Sequence, residues 1–216
     1  MGRPSKRLLR LLECGVCFFG LPSSLYLVRR QIAFHVIPIL LVLGALCALY
    51  LVRSGAIELR ALWSPSGGRV WLRGILQLFV PVAILLAVLA GLFLRTHFLT
   101  FPEAMPGRWL GLMLFYPLLA AYPQELVFRA FFFARYGSLF SSPLLLVLCN
   151  GVSFGLAHLF YGNWIAVVLA TMGGLLFAYR YVRTGSLLAA AVEHGLWGNF
   201  LFTIGVGWYF YSGSIR

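Results

Sequence analysis

Five carboxylate side chains occur in this sequence, Glu13, Glu58, Glu103, Glu125 and Glu193, and there is no aspartate, so acid–base chemistry draws on a short list. Three stretches of the C-terminal half set protonatable groups inside apolar runs. They are Pro123-Gln124-Glu125-Leu126-Val127-Phe128-Arg129, Phe154-Gly155-Leu156-Ala157-His158 and Glu193-His194-Gly195-Leu196-Trp197-Gly198-Asn199. An ionisable side chain in hydrocarbon is costly, so a functional role is the first reading and ion pairing the second. A carboxylate and two imidazoles around one wet pocket can take a proton from water, face a developing negative charge and protonate a leaving group. Arg129 stands one turn after Glu125 and is its natural ion-pair partner. Glu193 reads either as a base or as a counter-charge for Arg129. Phe154 shares a helix face with His158, whereas His35 and His97 have no ionisable neighbour in the sequence and read as structural or interfacial.

These groups need elements that hold them at one depth. With 62% apolar residues, 10% charged and a mean hydropathy of +0.93 over 216 residues, the chain carries more apolar surface than one soluble core can bury. The bilayer must be its solvent, and continuous apolar runs favour helices over alternating barrel strands. The expected fold is all-α, a polytopic transmembrane helical bundle of about seven apolar segments (six to eight). The segments lie near 11–28, 31–52, 75–94, 109–133, 143–160, 164–180 and 186–210. The first is interrupted by Pro22 and Ser23-Ser24, so it either spans or lies in the interface. It resembles a signal peptide, with Arg3, Lys6, Arg7 and Arg10 ahead of apolar residues, but no small-x-small cleavage site follows and an uncleaved anchor is expected. Residues 1–74 read as anchor segments with an interfacial loop, including the turn Ser64-Pro65-Ser66-Gly67-Gly68, and 75–216 as the helical core that bears the motifs.

The net charge of +12 comes from basic residues set singly or in pairs at the edges of apolar runs. That is a topology signal and gives no reason to expect nucleic acid as a partner. If all seven segments span, one face collects 11 Lys/Arg and the other five, counting Arg216 and leaving Arg129 out, which favours a cytoplasmic N-terminus. Cys14 and Cys17 form a lone C-x-x-C with no second pair and read as packing thiols. Met172-Gly173-Gly174 reads as a close helix contact. A count at ~1.5 Å per residue puts Glu125, His158 and His194 within roughly 10 Å of one depth, so one shared polar cavity is geometrically reasonable.

Three motifs in this order, E-E-x-x-x-R, F-x-x-x-H and H-x-x-x-N, resemble the CAAX-protease and bacteriocin-processing (CPBP) family of intramembrane proteases, over about 109–210. The resemblance implies an endopeptidase of a prokaryotic cytoplasmic membrane, acting on a membrane-embedded or membrane-anchored protein substrate. It implies that Glu125 and His158 polarise the water, and that His194, with Asn199, faces the oxyanion. Two positions depart from the pattern. Gln124 occupies the place of the first glutamate and cannot act as a base, so that work falls to Glu125 or Glu193. Asn199 follows His194 by five residues, about 140° round a regular helix, so local unwinding at Gly195 and Gly198 or a substitute donor such as Asn163 would be needed. No cofactor is expected, the alternative being zinc held by Glu125, His158 and His194. Two other classes remain open, an inactive relative that binds a peptide or hydrophobic tail and a proton-coupled transporter, although no internal repeat supports the latter.

Overall fold

The computed structural model describes residues 5–65 and 68–211, and of Arg69 only the backbone. Arg3, the Ser66-Gly67 pair of the expected turn and Arg216 lie outside the described residues. Among the described residues there is no strand. Seven long helical runs follow one another: α1 (6–24), α2 (Val36–Arg53), α3 (Gly68–Phe93), α4 (Pro106–Leu139), α5 (Pro143–Ala157), α6 (Trp164–Thr184) and α7 (Leu187–Thr203). The stretches Lys6–Arg53, Val70–Phe93, Pro106–Leu139, Pro143–Tyr161 and Trp164–Thr184 are long and apolar enough to cross a membrane. The chain is an all-α integral membrane bundle. At its centre is α7, where Ala189, Ala190 and Glu193 are fully buried.

The interrupted first segment runs the length of the bundle. Backbone angles leave the helical region at Val28 (φ −110°, ψ 13°) and Ile32 (φ −103°, ψ 1°), on either side of Arg29-Arg30. The chain reverses there. Arg135 shows this directly, because it donates to both oxygens of Glu13 on α1 (3.1 and 2.8 Å) and to the Tyr50 hydroxyl near the end of α2 (3.0 Å). The nineteen residues of α1 extend about 28 Å, close to the thickness of the hydrocarbon core. All four cysteines are free, with Cys14 buried and Cys17 exposed.

The later hairpins are written in short capping sequences. Gly162 and Gly185 take left-handed backbone angles (φ 72° and 62°) that L side chains rarely adopt. The next residues, Asn163 and Ser186, accept the first free amides of α6 and α7 with their side chains. The two-residue loop 185–186 and the 3-10 turn His158–Tyr161 with Gly162-Asn163 are short enough that α5, α6 and α7 pack antiparallel. The α5–α6 contact is glycine-mediated: a Cβ on Gly151 would collide with Leu175, one on Gly155 with Thr171, and one on Gly174 with the Gly151 carbonyl and Phe154. Of the expected Met172-Gly173-Gly174 step, Gly174 makes this contact, while Gly173 lies under Phe177 of its own helix.

Prolines shape α4. Pro117 and Pro123 have no N–H to donate to the carbonyl one turn earlier, and their rings crowd it, so a regular helix is disfavoured there. A widened π turn at Pro117–Ala121 lies between the two prolines, and a second, at Leu126–Phe131, follows the short stretch Tyr122–Glu125. The loop before α3 folds onto the same place. Leu62 is buried, Trp63 stacks on Tyr122 at 3.9 Å, and the Tyr122 hydroxyl donates to the Leu62 carbonyl (3.1 Å).

Candidate active site

Two of the motif residues meet directly. Glu125 Oε1 lies 2.8 Å from His194 Nδ1, joining side chains 69 positions apart in the sequence. Glu125 Oε2 lies 3.0 Å from Arg129 Nε, an ion pair without the alignment of a hydrogen bond. Glu125 and Arg129 are fully buried and His194 is 5% exposed. A buried guanidinium needs more than one partner to offset its lost hydration. Arg129 Nη2 donates to the Gly174 carbonyl (3.1 Å), and its Cζ sits 4.6 Å from the Phe154 ring centroid. Gly174 can offer its carbonyl because α6 lies so close to α5.

Aromatic rings set the imidazoles. His194 stacks on Phe177 (4.6 Å, 14°) and meets Phe154 edge to face at 5.5 Å. On the other side Phe154 meets the His158 ring at 4.8 Å, so one buried phenylalanine separates the two histidines. His158 begins the 3-10 turn that ends α5, and its Nδ1 donates to the Phe154 carbonyl at 2.8 Å. That bond fixes the ring proton on Nδ1 and leaves the Nε2 lone pair of this half-buried residue for another donor. His194 is fixed in the same sense, with Nδ1–H donating to the Glu125 carboxylate. Its Nε2 faces the Tyr116 hydroxyl at 3.1 Å. Tyr116 is not among the residues expected from the sequence, where its only signal is a phenol two and a half turns before Glu125 on the motif helix.

The remaining expected residues lie apart. Glu193 points to Arg180 and forms a two-pronged pair (2.8 and 3.0 Å), so its counter-charge comes from α6 and not from Arg129. The physical reason is the tight α6–α7 hairpin, which sets the two side chains across from each other. Glu193→Ala would leave Arg180 unpaired, and loss of a buried pair costs about 3 kcal/mol or more. The expected outcome is a lower unfolding temperature with kcat of the folded protein unchanged; a lost kcat at full stability would return Glu193 to the chemistry. Asn199 donates from Nδ2 to the Met113 carbonyl (2.9 Å), the acceptor that Pro117 cannot serve. Around it α7 stays regular: Gly195 and Gly198 do not unwind the helix but let Pro117 and Tyr116 lie against it. Asn163 is engaged as a helix cap and donates to the Tyr209 carbonyl (2.9 Å). Gln124 is half-buried next to Glu125, and none of the site's hydrogen bonds goes to it.

A zinc site would need free donors. Both Glu125 oxygens and both His194 nitrogens are engaged, and among the described residues no three His, Cys, Asp or Glu side chains are grouped to hold a metal ion. As placed, Glu125, His158 and His194 do not fit a zinc centre.

The site is thus a carboxylate–imidazole pair buried at the core of a helical membrane bundle. A comparison with family models finds that residues 106–211 match the model described as type II CAAX prenyl endopeptidase Rce1-like, in agreement with the CPBP resemblance carried by the three motifs. The matched stretch contains α4 to α7 and all three motifs. No curated protein and no solved structure matches the chain.

Proposed function

We propose that the protein is an intramembrane endopeptidase that hydrolyses a peptide bond near the prenylated C-terminus of a membrane-anchored protein, using water activated by its own glutamate and histidines. The substrate class follows from the description of the family. The chemistry rests on one observation above others, the 2.8 Å contact that makes Glu125 and His194 a dyad.

In this reading Arg129 is the counter-charge of Glu125, and Glu125 holds the His194 proton on Nδ1, which leaves the Nε2 lone pair to accept a proton. His158 Nε2 accepts a hydrogen bond from the attacking water and aligns its lone pair with the scissile carbonyl. The proton released by water ends on His194, and Glu125 stabilises the resulting imidazolium. Returning that proton to the amine nitrogen completes peptide-bond cleavage. Gln124, which cannot take up a proton, has no part in these steps.

The test is cleavage of an internally quenched peptide ending in a farnesylated Cys-aliphatic-aliphatic-X sequence by purified protein in liposomes. The wild type is expected to cut the peptide after exhaustive chelation. His158→Ala and His194→Ala are each expected to lose at least about 10²-fold in kcat while retaining their fold. Wild-type protein that cuts no such peptide would overturn the substrate and the activity together, and cleavage that stops on chelation and returns with zinc would overturn the metal-free mechanism.

A further inference from the structure

We propose that the Tyr116 hydroxyl is the proton relay between the Glu125–His194 dyad and the reacting groups, an inference that rests on the hydrolase reading above. The geometry is that of a carboxylate–imidazole–hydroxyl series. Glu125 Oε1 accepts from His194 Nδ1 at 2.8 Å, and the Nε2 lone pair this leaves accepts from the Tyr116 hydroxyl at 3.1 Å. Exposure rises along the series, from fully buried Arg129 and Glu125, through His194 at 5%, to half-buried Tyr116. Tyr116 is thus the most exposed member of the series and the one next to His194 Nε2.

Tyr116 is also held with unusual closeness. Its ring and hydroxyl lie against Gly198, where any Cβ would collide with them, and Phe202 supports the ring from one side at 5.6 Å. One turn earlier Gly195 lies against Pro117, so two glycines of α7 bring the π-turn region of α4 within hydrogen-bonding reach of His194. The glycines expected to unwind α7 thus have a different structural consequence, since they admit a phenol beside the imidazole.

In the forward step a water O–H bond breaks as the water oxygen bonds to the carbonyl carbon. Its proton passes to the Tyr116 oxygen while the phenol proton passes to His194 Nε2. On collapse of the tetrahedral intermediate the C–N bond breaks, the amine takes the Tyr116 proton, and His194 gives its Nε2 proton back to the phenol oxygen. Tyr116 begins and ends as a neutral phenol, and no oxidant or further reactant is needed.

Tyr116→Phe removes the hydroxyl and keeps the ring. The expected result with the farnesylated peptide in liposomes is a fall in kcat of about 10²-fold with KM and unfolding temperature unchanged. The proton inventory of kcat in mixtures of H2O and D2O is expected to be bowed for the wild type, with two protons in flight, and linear for Tyr116→Phe. A ring that only packs would leave the inventory unchanged. Gly198→Ala, which displaces the hydroxyl, is expected to reproduce the Tyr116→Phe loss and to add nothing to it in the double variant. Full activity in Tyr116→Phe, or the same proton inventory in both proteins, would overturn the relay alone. An inactive wild type overturns the hydrolase reading and the relay with it.

Discussion

Glu125→Gln is expected to lower kcat about 10³-fold or more while the protein still folds. The amide matches the carboxylate in shape and still offers an oxygen to His194 Nδ1, so the 2.8 Å contact can survive. The charge is lost, and with it the stabilisation of the imidazolium that forms when His194 takes up a proton. Losses near 10⁴-fold accompany the same change in other carboxylate–imidazole pairs. Glu125→Ala is a poorer test, because it strands Arg129, fully buried and 3.0 Å from the vanished oxygen, and an unpaired buried charge costs about 3–5 kcal/mol. Both variants are expected to unfold at lower temperature, since neither leaves Arg129 its counter-charge, and the Ala variant at the lower of the two because it also loses the contact to His194. Circular dichroism melting in detergent, run beside the peptide assay, separates the two effects.

Gly155→Leu is expected to abolish the fold. A Cβ at this position would run into Thr171, and its neighbour one turn away, Gly151, is blocked by Leu175 in the same way. Forcing side chains into such a contact costs more than the roughly 1–3 kcal/mol of ordinary overpacking, because both helices would have to separate. Separation also moves Gly174, so Arg129 loses its carbonyl partner and Phe154 its seat between the two histidines. Gly111, with nothing within 4 Å of its Cβ position, is the control. Gly111→Ala is expected to melt at or slightly above the wild-type temperature, since alanine is the better helix former. Equal melting of the Gly155→Leu and Gly111→Ala variants would contradict the tight α5–α6 contact.

The motifs were legible because ionisable residues in apolar runs are few and conspicuous. The spacing of Glu125 and Arg129 anticipates their ion pair, and the depth count anticipates that Glu125 and His194 share a level of the bundle. Less could be read where tertiary geometry decides. The Glu193–Arg180 pair depends on the handedness and tightness of a hairpin, which turn residues suggest but do not align. The π turn at Pro117–Ala121 lies between Pro117 and Pro123 in a helix that continues through both, a compromise that local propensity does not reveal. Tyr116 gains its place through that deformation and through the missing side chains of Gly195 and Gly198, so no local pattern marks it. The path of 6–53 was ambiguous for a related reason: Pro22 and Ser23-Ser24 read as interruptions, yet helix continues through them and the reversal falls at Val28 to Ile32.

The most direct measurement is a double-mutant cycle on single-turnover cleavage with Glu125→Gln, His194→Gln and the two combined. If the carboxylate and the imidazole act as one unit, the double variant is expected to be no slower than the slower single variant. Losses that multiply would mean the two side chains act independently, and would contradict a dyad at the centre of the chemistry.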